Sequence, residues 1–270
     1  MIAALHFLSD PWSEPVMRRA GLECLLLAWS GGLLGCWLVL YRLSYATESL
    51  AHGLLPGLVV ATLIGAPLLL GGAVGLLVAA VAIAVAGRLP LVTRDGAVAV
   101  VVTTLFGLGV VLALSPESPP GIQNLLFGDI LGVSDADLLW GAVLAAVLAV
   151  VLPVLHHRLL AAGFDRDSSS ALGMRPALTE AALLTLLAAA LLIAVQAMGN
   201  LLVVAILIAP AAAAAAVTNR LGAMMTASVA FAVSGCLGGL YLSYYAATAA
   251  GASIAGALAA IFVGALAVSR

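Results

Sequence analysis

The stretch TESLAHGLLPG, residues 47–57, places an acid and a histidine inside a largely apolar run. Glu48 and His52 are four residues apart, so on a helix they project from one face. A carboxylate oxygen and an imidazole nitrogen together suit Mn²⁺, Fe²⁺ or Zn²⁺. Two ligands from one chain hold an ion weakly, and a second copy on a two-fold axis would complete a ring of four. The pair is therefore a candidate metal site.

The same two residues have a simpler interpretation. Glu48 could extend to the membrane surface beside Arg42, while His52 caps a backbone carbonyl of a neighbouring helix. His52 lies one turn deeper than Glu48, where ionisable groups are rare and usually functional. Depth therefore favours the metal site for His52, whereas the position of Glu48 near a predicted helix end favours the simpler interpretation.

The composition decides what kind of helix carries this pair. Of the 270 residues, 64% are hydrophobic and 8% charged, and the mean hydropathy is +1.25. Such a chain cannot bury its apolar surface in one water-soluble core, so it is predicted to cross a membrane repeatedly. The 28 glycines and the low aromatic content of 6% favour closely packed helices over a barrel of alternating strands. We predict an all-α, polytopic membrane protein.

Apolar runs of membrane-spanning length divide the chain into about nine helices. Eight or ten are possible, because residues 125–133 could form a short re-entrant helix. Residues 1–21 are predicted to be an amphipathic, extramembrane segment and residues 22–270 the transmembrane domain. The predicted spans are 22–41, 46–65, 67–87, 95–114, 137–155, 177–196, 199–217, 222–243 and 251–268.

The basic residues predict the orientation. All ten are arginines, and eight fall on one side if nine spans alternate, which makes that side cytoplasmic. These eight are Arg42, Arg88, Arg94, Arg158, Arg166, Arg175, Arg220 and Arg270. Arg18 and Arg19 are exceptions, which an amphipathic segment on the inner surface would also explain.

The sequence also limits the source of energy. A P-loop needs a lysine to reach the β- and γ-phosphates of a nucleotide, and this chain contains none. Uphill movement would need an ion gradient or a separate ATPase. Gradient-driven carriers usually bury several acids, whereas Glu48 is the one acid expected beyond the interface.

Three stretches together resemble the integral-membrane permeases of the manganese, zinc and iron ABC importers. Residues 15–57 are similar to the start of those permeases, with a glycine-rich first span followed by an acid, three residues, a histidine and LPG. Residues 125–138 look like their external segment. Residues 195–221, with a Gln, a Gly and Pro210, look like their late span.

The resemblance implies a type II-like ABC importer permease in the plasma (inner) membrane of a prokaryote. It implies a second copy of the chain, two cytoplasmic ATPase subunits and an extracytoplasmic metal-binding protein, with no nucleic acid and no permanently bound cofactor. The transported ion would be Mn, Zn or Fe, bound by Glu48 and His52. The chain itself would not be an enzyme.

The family's coupling helix, on which the ATPases act, falls on residues 165–173 within the polar segment 156–176. The residues expected to contact the ATPase are Asp165, Asp167, Ala171, Leu172 and Gly173. From the residues alone, a short docking helix and a solvated loop are equally good interpretations of this segment.

Two departures from the family pattern stand out. The family more often has Asp where this chain has Glu48, which bears on metal preference. It also has bulkier residues where this chain has serines at 168–170, which bears on ATPase docking.

Pro210 is expected to kink its helix and could act as a hinge.

Rival functions remain open on the sequence. A permease for a siderophore or cobalamin chelate would need a wide path without metal ligands. A stand-alone secondary carrier would work without an ATPase. A structural membrane protein would show no transport at all.

Overall fold

The structure is a computed structural model that describes residues 9–86, 94–116, 128–165, 169–170 and 174–269. Within these ranges the chain forms long helices and one 3₁₀ turn (Ile130–Gly132), with no strand. The predicted all-α class is confirmed. The helices are α1 (Pro15–Leu40), α2 (Ser44–Ile64), α3 (Leu68–Ala86), α4 (Arg94–Ala113), α5 (Asp135–Phe164), α6 (Pro176–Val217), α7 (Leu221–Ala246) and α8 (Ala250–Val268).

Helix α1 lies at the centre of the bundle. Trp37 and Leu34 on this helix are completely buried, and α1 contacts α5, α6 and α7. A Cβ atom on Gly35 would overlap the carbonyl oxygen of Leu207 in α6, so the two backbones touch at this point. Ser228 of α7 donates a hydrogen bond of 2.8 Å to the carbonyl oxygen of Gly32. Small residues and interhelical hydrogen bonds therefore hold the centre together.

Helix α6 consists of two antiparallel segments joined at Gly199. The backbone leaves helical geometry there, with φ 72° and ψ 164°. The first segment begins at Pro176, beside Leu40 at the end of α1. The second runs in the same direction as α1, with Ile206 against Gly31 and Ala211 against Gly35. Both ends of α6 therefore lie at the same end of the bundle, and the chain reverses at Gly199.

Each of the nine predicted spans overlaps one of these helical segments. Within the part of the chain that the structure describes, seven segments are long and apolar enough to cross a membrane: α1, α2, α3, α5, α7, α8 and the first segment of α6, Pro176–Asn200. The other two predicted spans correspond to shorter apolar stretches, Val98–Ala113 and Leu202–Val217. The multi-spanning architecture is confirmed, and nine is an approximate count. Of the suggested re-entrant segment, residues 128–133 are described and contain only the 3₁₀ turn.

The charged residues separate towards opposite ends of the bundle. Arg42 lines one cavity with Pro176, and Arg158 lines another with Arg175, at the end where α1 and α5 finish and α6 begins. At the opposite end Arg19 pairs with Asp135 at 2.7 Å. Asp135 thus neutralises one of the two arginines that break the charge pattern.

The N-terminal boundary of the bundle lies close to Pro15. Helix α1 starts there, and Met17 and Ala20 in its first turns are buried. Residues 1–8 lie outside the described residues. The extramembrane character of residues 1–21 stays a prediction.

Two adjacent glycines of α7 offer a matched test of this packing. A Cβ atom on Gly239 would lie 2.6 Å from the backbone nitrogen of Ile254 in α8, whereas one on Gly238 would meet nothing within 4 Å. We expect Gly239→Val to destabilise the protein by about 1–3 kcal/mol through overpacking, and Gly238→Val to leave it unchanged. Thermal unfolding followed by fluorescence-detected size exclusion measures the difference, and equal melting temperatures for the two variants would contradict the packing.

Candidate metal site

Glu48 and His52 lie on the same face of α2, as their spacing predicts. His52 Nε2 is 4.0 Å from Glu48 Oε1. Transition-metal ions bind imidazole nitrogen and carboxylate oxygen at about 2.0–2.2 Å, so one ion between these two atoms can contact both. No ion pair joins Glu48 to Arg42 within the described residues. The pairing therefore supports the metal-site interpretation.

The two side chains differ in exposure. The side chain of His52 is 20% exposed, whereas that of Glu48 is 56% exposed. Glu48 lines a surface groove with Tyr45 on its own helix, Val204 and Ile208 of α6, and Phe262 of α8. His52 thus forms the inner side of the site and Glu48 the outer side.

Two neighbours hold the His52 ring from other helices. Its centroid lies 4.7 Å from that of Phe106 in α4, with the ring planes inclined at 59°. Its Nδ1 atom lies 3.1 Å from Nδ2 of Asn200 in α6. The ring is therefore fixed by an aromatic contact and a polar contact, with Nε2 left to face Glu48.

Asn200 reaches this position because α6 reverses immediately before it. Gly199 adopts a positive φ that only glycine takes without strain. Asn200 is completely buried. Sequence reasoning included Gly199 in the family pattern but missed Asn200, whose polarity within an apolar segment was the available signal.

A single chain supplies few ligands at this place. Among the described residues there is no group of three or more His, Cys, Asp or Glu side chains placed to hold one ion. In one copy Glu48 and His52 are thus two candidate ligands, and their role in metal binding stays a prediction.

Glu23 is a buried acid that the sequence analysis missed. Helix α1 begins well before the predicted start of the span at residue 22, so Glu23 lies about two turns into the helix. It is completely buried, and neither carboxylate oxygen has a hydrogen-bond partner among the described residues. Glu23 is therefore an acid buried inside the bundle. That Glu48 is the one acid beyond the membrane interface stays a prediction.

The predicted coupling residues lie mostly outside the described residues. Asp165 ends α5 as its C-terminal cap, and Ser169, part of a short described piece, is buried. Asp167, Ala171, Leu172 and Gly173 fall in the ranges 166–168 and 171–173, which are not described. Their role stays a prediction.

Pro210 lies inside the second segment of α6, and the only non-helical backbone within α6 is at Gly199. The chain direction therefore changes eleven residues before the proline. A hinge at Pro210 stays a prediction.

Comparison with known proteins decides the family. The model of the ABC 3 transport family matches residues 13–269. The chain belongs to this family. The resemblance drawn from residues 15–57, 125–138 and 195–221 is thereby confirmed, and the chain is a multi-pass membrane permease subunit for metal transport.

Proteins similar to this ABC 3 permease match it over nearly its whole length. A probable iron transport system membrane protein of Haemophilus influenzae is 31% identical over 98% of this chain and 97% of its own length. The manganese transport system membrane protein MntC of Halalkalibacterium halodurans is 30% identical over 92% of this chain and 85% of its own length. These bacterial relatives agree with the predicted prokaryotic plasma membrane.

A solved structure shares the fold. PsaBC from Streptococcus pneumoniae, in complex with Fab, superposes with a TM-score of 0.88 at 28% identity, covering 98% of this chain and 95% of that one. The predicted ABC importer permease fold is therefore confirmed.

The reversal in α6 can be tested with two Gly→Ala variants. At Gly199 a positive φ makes any side chain strained, at a cost of about 1–3 kcal/mol. At Gly222, in the first turn of α7, an added Cβ meets nothing within 4 Å, and alanine there should be neutral or slightly stabilising. We expect Gly199→Ala to melt at a lower temperature than Gly222→Ala. Equal thermal stability would show that the reversal does not depend on glycine.

Proposed function

We propose that this ABC 3 permease forms, as a homodimer, the translocation path of an ATP-driven importer for divalent Mn, Zn or Fe ions. Glu48 and His52 bind the ion as it crosses the membrane. The observation that carries the proposal is a 56% exposed carboxylate on a membrane-spanning helix, 4.0 Å from an imidazole.

The exposed carboxylate of Glu48 would be unfavourable in contact with lipid alone. A charged side chain in the hydrocarbon region is costly unless it faces water, a partner charge or another subunit. The groove around Glu48 is lined mainly by apolar groups of α6 and α8. A second copy of the chain packed over this groove would enclose a path in which two Glu48 and two His52 side chains surround the ion.

Weak binding suits such a path. Two ligands per chain capture an ion without holding it tightly enough to prevent release. The glutamate, where the family more often has aspartate, extends the carboxylate by one methylene, so its oxygen reaches further from the helix axis. Metal preference is therefore a property to measure in this chain itself.

ATP hydrolysis is assigned to separate subunits. The chain has no lysine and therefore no P-loop lysine. The segment 165–173, between α5 and α6, is the proposed docking site for cytoplasmic ATPases, and an extracytoplasmic binding protein would deliver the ion at the opposite end. Asp129 and Asp137 are acidic side chains at that end that would attract a cation, whereas Asp135 is paired with Arg19.

The main prediction concerns His52. In vesicles containing the permease and its cognate ATPase, we expect ATP-dependent uptake of radiolabelled Mn²⁺ or Zn²⁺. His52→Ala should reduce uptake to background, because the site loses one of its two ligands. His157→Ala is the matched control, since His157 is exposed and lies near the C-terminal end of α5, on a different helix from His52. This variant should transport metal like the unmodified protein.

The rivals give different results in the same vesicles. Uptake without the ATPase would identify a gradient-driven carrier. ATP-dependent uptake of a ferric siderophore or cobalamin that survives His52→Ala would identify a chelate permease. Unaltered metal uptake by His52→Ala would remove this residue from the path.

A further inference from the structure

The Asn200 side-chain amide is buried, and only one of its two polar atoms has a hydrogen-bond partner among the described residues. Its side chain is completely buried, and Nδ2 lies 3.1 Å from His52 Nδ1. The other end, Oδ1, has no hydrogen-bond partner among the described residues. An unpaired buried carbonyl oxygen is costly, so this arrangement calls for an explanation.

The contact determines which nitrogen of His52 carries hydrogen. A neutral imidazole has one N–H and one acceptor nitrogen. When Nδ2 of Asn200 donates to Nδ1, the ring hydrogen is on Nε2, the atom that faces Glu48. A protonated Nε2 has no free lone pair and cannot bind a metal ion.

Turning the amide by half a turn reverses these roles. Oδ1 then accepts a hydrogen bond from Nδ1–H, and the lone pair of Nε2 points towards Glu48. Nε2 gives its proton to the Glu48 carboxylate or to water at the exposed part of the ring, and Nδ1 takes one from water as the amide turns away. The ring therefore stays neutral and no net proton is released. Metal-binding histidines commonly donate their second N–H to such an acceptor.

We propose that Asn200 is a positioning residue whose amide turns when the ion binds, so that Oδ1 accepts from His52 Nδ1 and Nε2 becomes a metal ligand. The inference rests on the proposed metal path and adds a residue to it. Asn200 is buried and Phe106 contacts the ring from α4. The amide is the one polar contact of Nδ1 among the described residues.

The first test measures Mn²⁺ binding to the purified full-length permease in nanodiscs, with free Mn²⁺ followed by electron paramagnetic resonance. Asn200→Leu keeps the shape but removes the acceptor, and we expect affinity to fall about 10–100-fold, as is typical when the partner of a ligating histidine is lost. Asn200→Asp keeps an oxygen acceptor and should bind within a few-fold of the unmodified protein. Loss of shape alone would not distinguish these two variants.

Gln196→Leu is the matched control. Its amide donates to the carbonyl oxygen of Leu192 within its own helix at 3.1 Å, so its removal should leave Mn²⁺ affinity unchanged. Unchanged affinity in Asn200→Leu, or an equal loss in Asn200→Asp, would overturn the proposal.

The second test observes the ring hydrogen directly. In ¹⁵N-histidine spectra of the same nanodiscs, the His52 signals are identified by their loss in His52→Ala. We expect the hydrogen on Nε2 without metal and on Nδ1 with bound Zn²⁺. The same tautomer in both states would contradict the turning amide.

The two proposals fail in distinguishable ways. If His52→Ala binds Mn²⁺ normally, the proposed metal path is wrong. If His52→Ala loses binding while Asn200→Leu keeps it, the path stands and only the role of Asn200 is wrong.

Discussion

A polar side chain on a membrane-spanning helix must find a partner, because the hydrocarbon region offers none. This constraint connects the main features of the permease. His52 meets it through Asn200 and Phe106. Glu48, more than half exposed beside an apolar groove, meets it only if water, an ion or a second subunit reaches it. His52 therefore has its partners within one chain, whereas the proposed path between two copies would supply one for the exposed side of Glu48.

Close helix packing makes this arrangement possible. Contact between α1 and α6 at Gly35 places the second segment of α6 deep in the bundle. The reversal at Gly199 then turns Asn200 towards α2. A site built on rigid, closely packed helices positions its side chains more accurately than a site on a loop. Backbone geometry at Gly35 and Gly199, far from the candidate ligand His52 in sequence, therefore helps to position its ring.

Much of the fold could be predicted from the sequence. The length of the apolar runs predicted the membrane spans, and the spacing of Glu48 and His52 predicted that both side chains lie on one helix face. Asn200 could not be paired with His52 in advance, because 148 residues separate them and only tertiary packing brings them together. The burial of Glu23 was missed because the start of α1 depends on contacts with other helices, which span length does not reveal. The predicted gap between the spans that end at residue 196 and begin at residue 199 lies close to the observed reversal of α6. The positive φ of Gly199 could not be predicted from the sequence and is seen only in the structure.

The central claim is that Glu48 and His52 act together on one ion. A double-mutant cycle on Mn²⁺ affinity tests it most directly, comparing the unmodified permease with Glu48→Ala, His52→Ala and the double variant in nanodiscs. If both side chains bind the same ion, the double variant should be little weaker than the weaker single variant, since the second substitution has no intact site left to damage. If the two fold-losses simply multiply, the residues act independently and the shared site is contradicted.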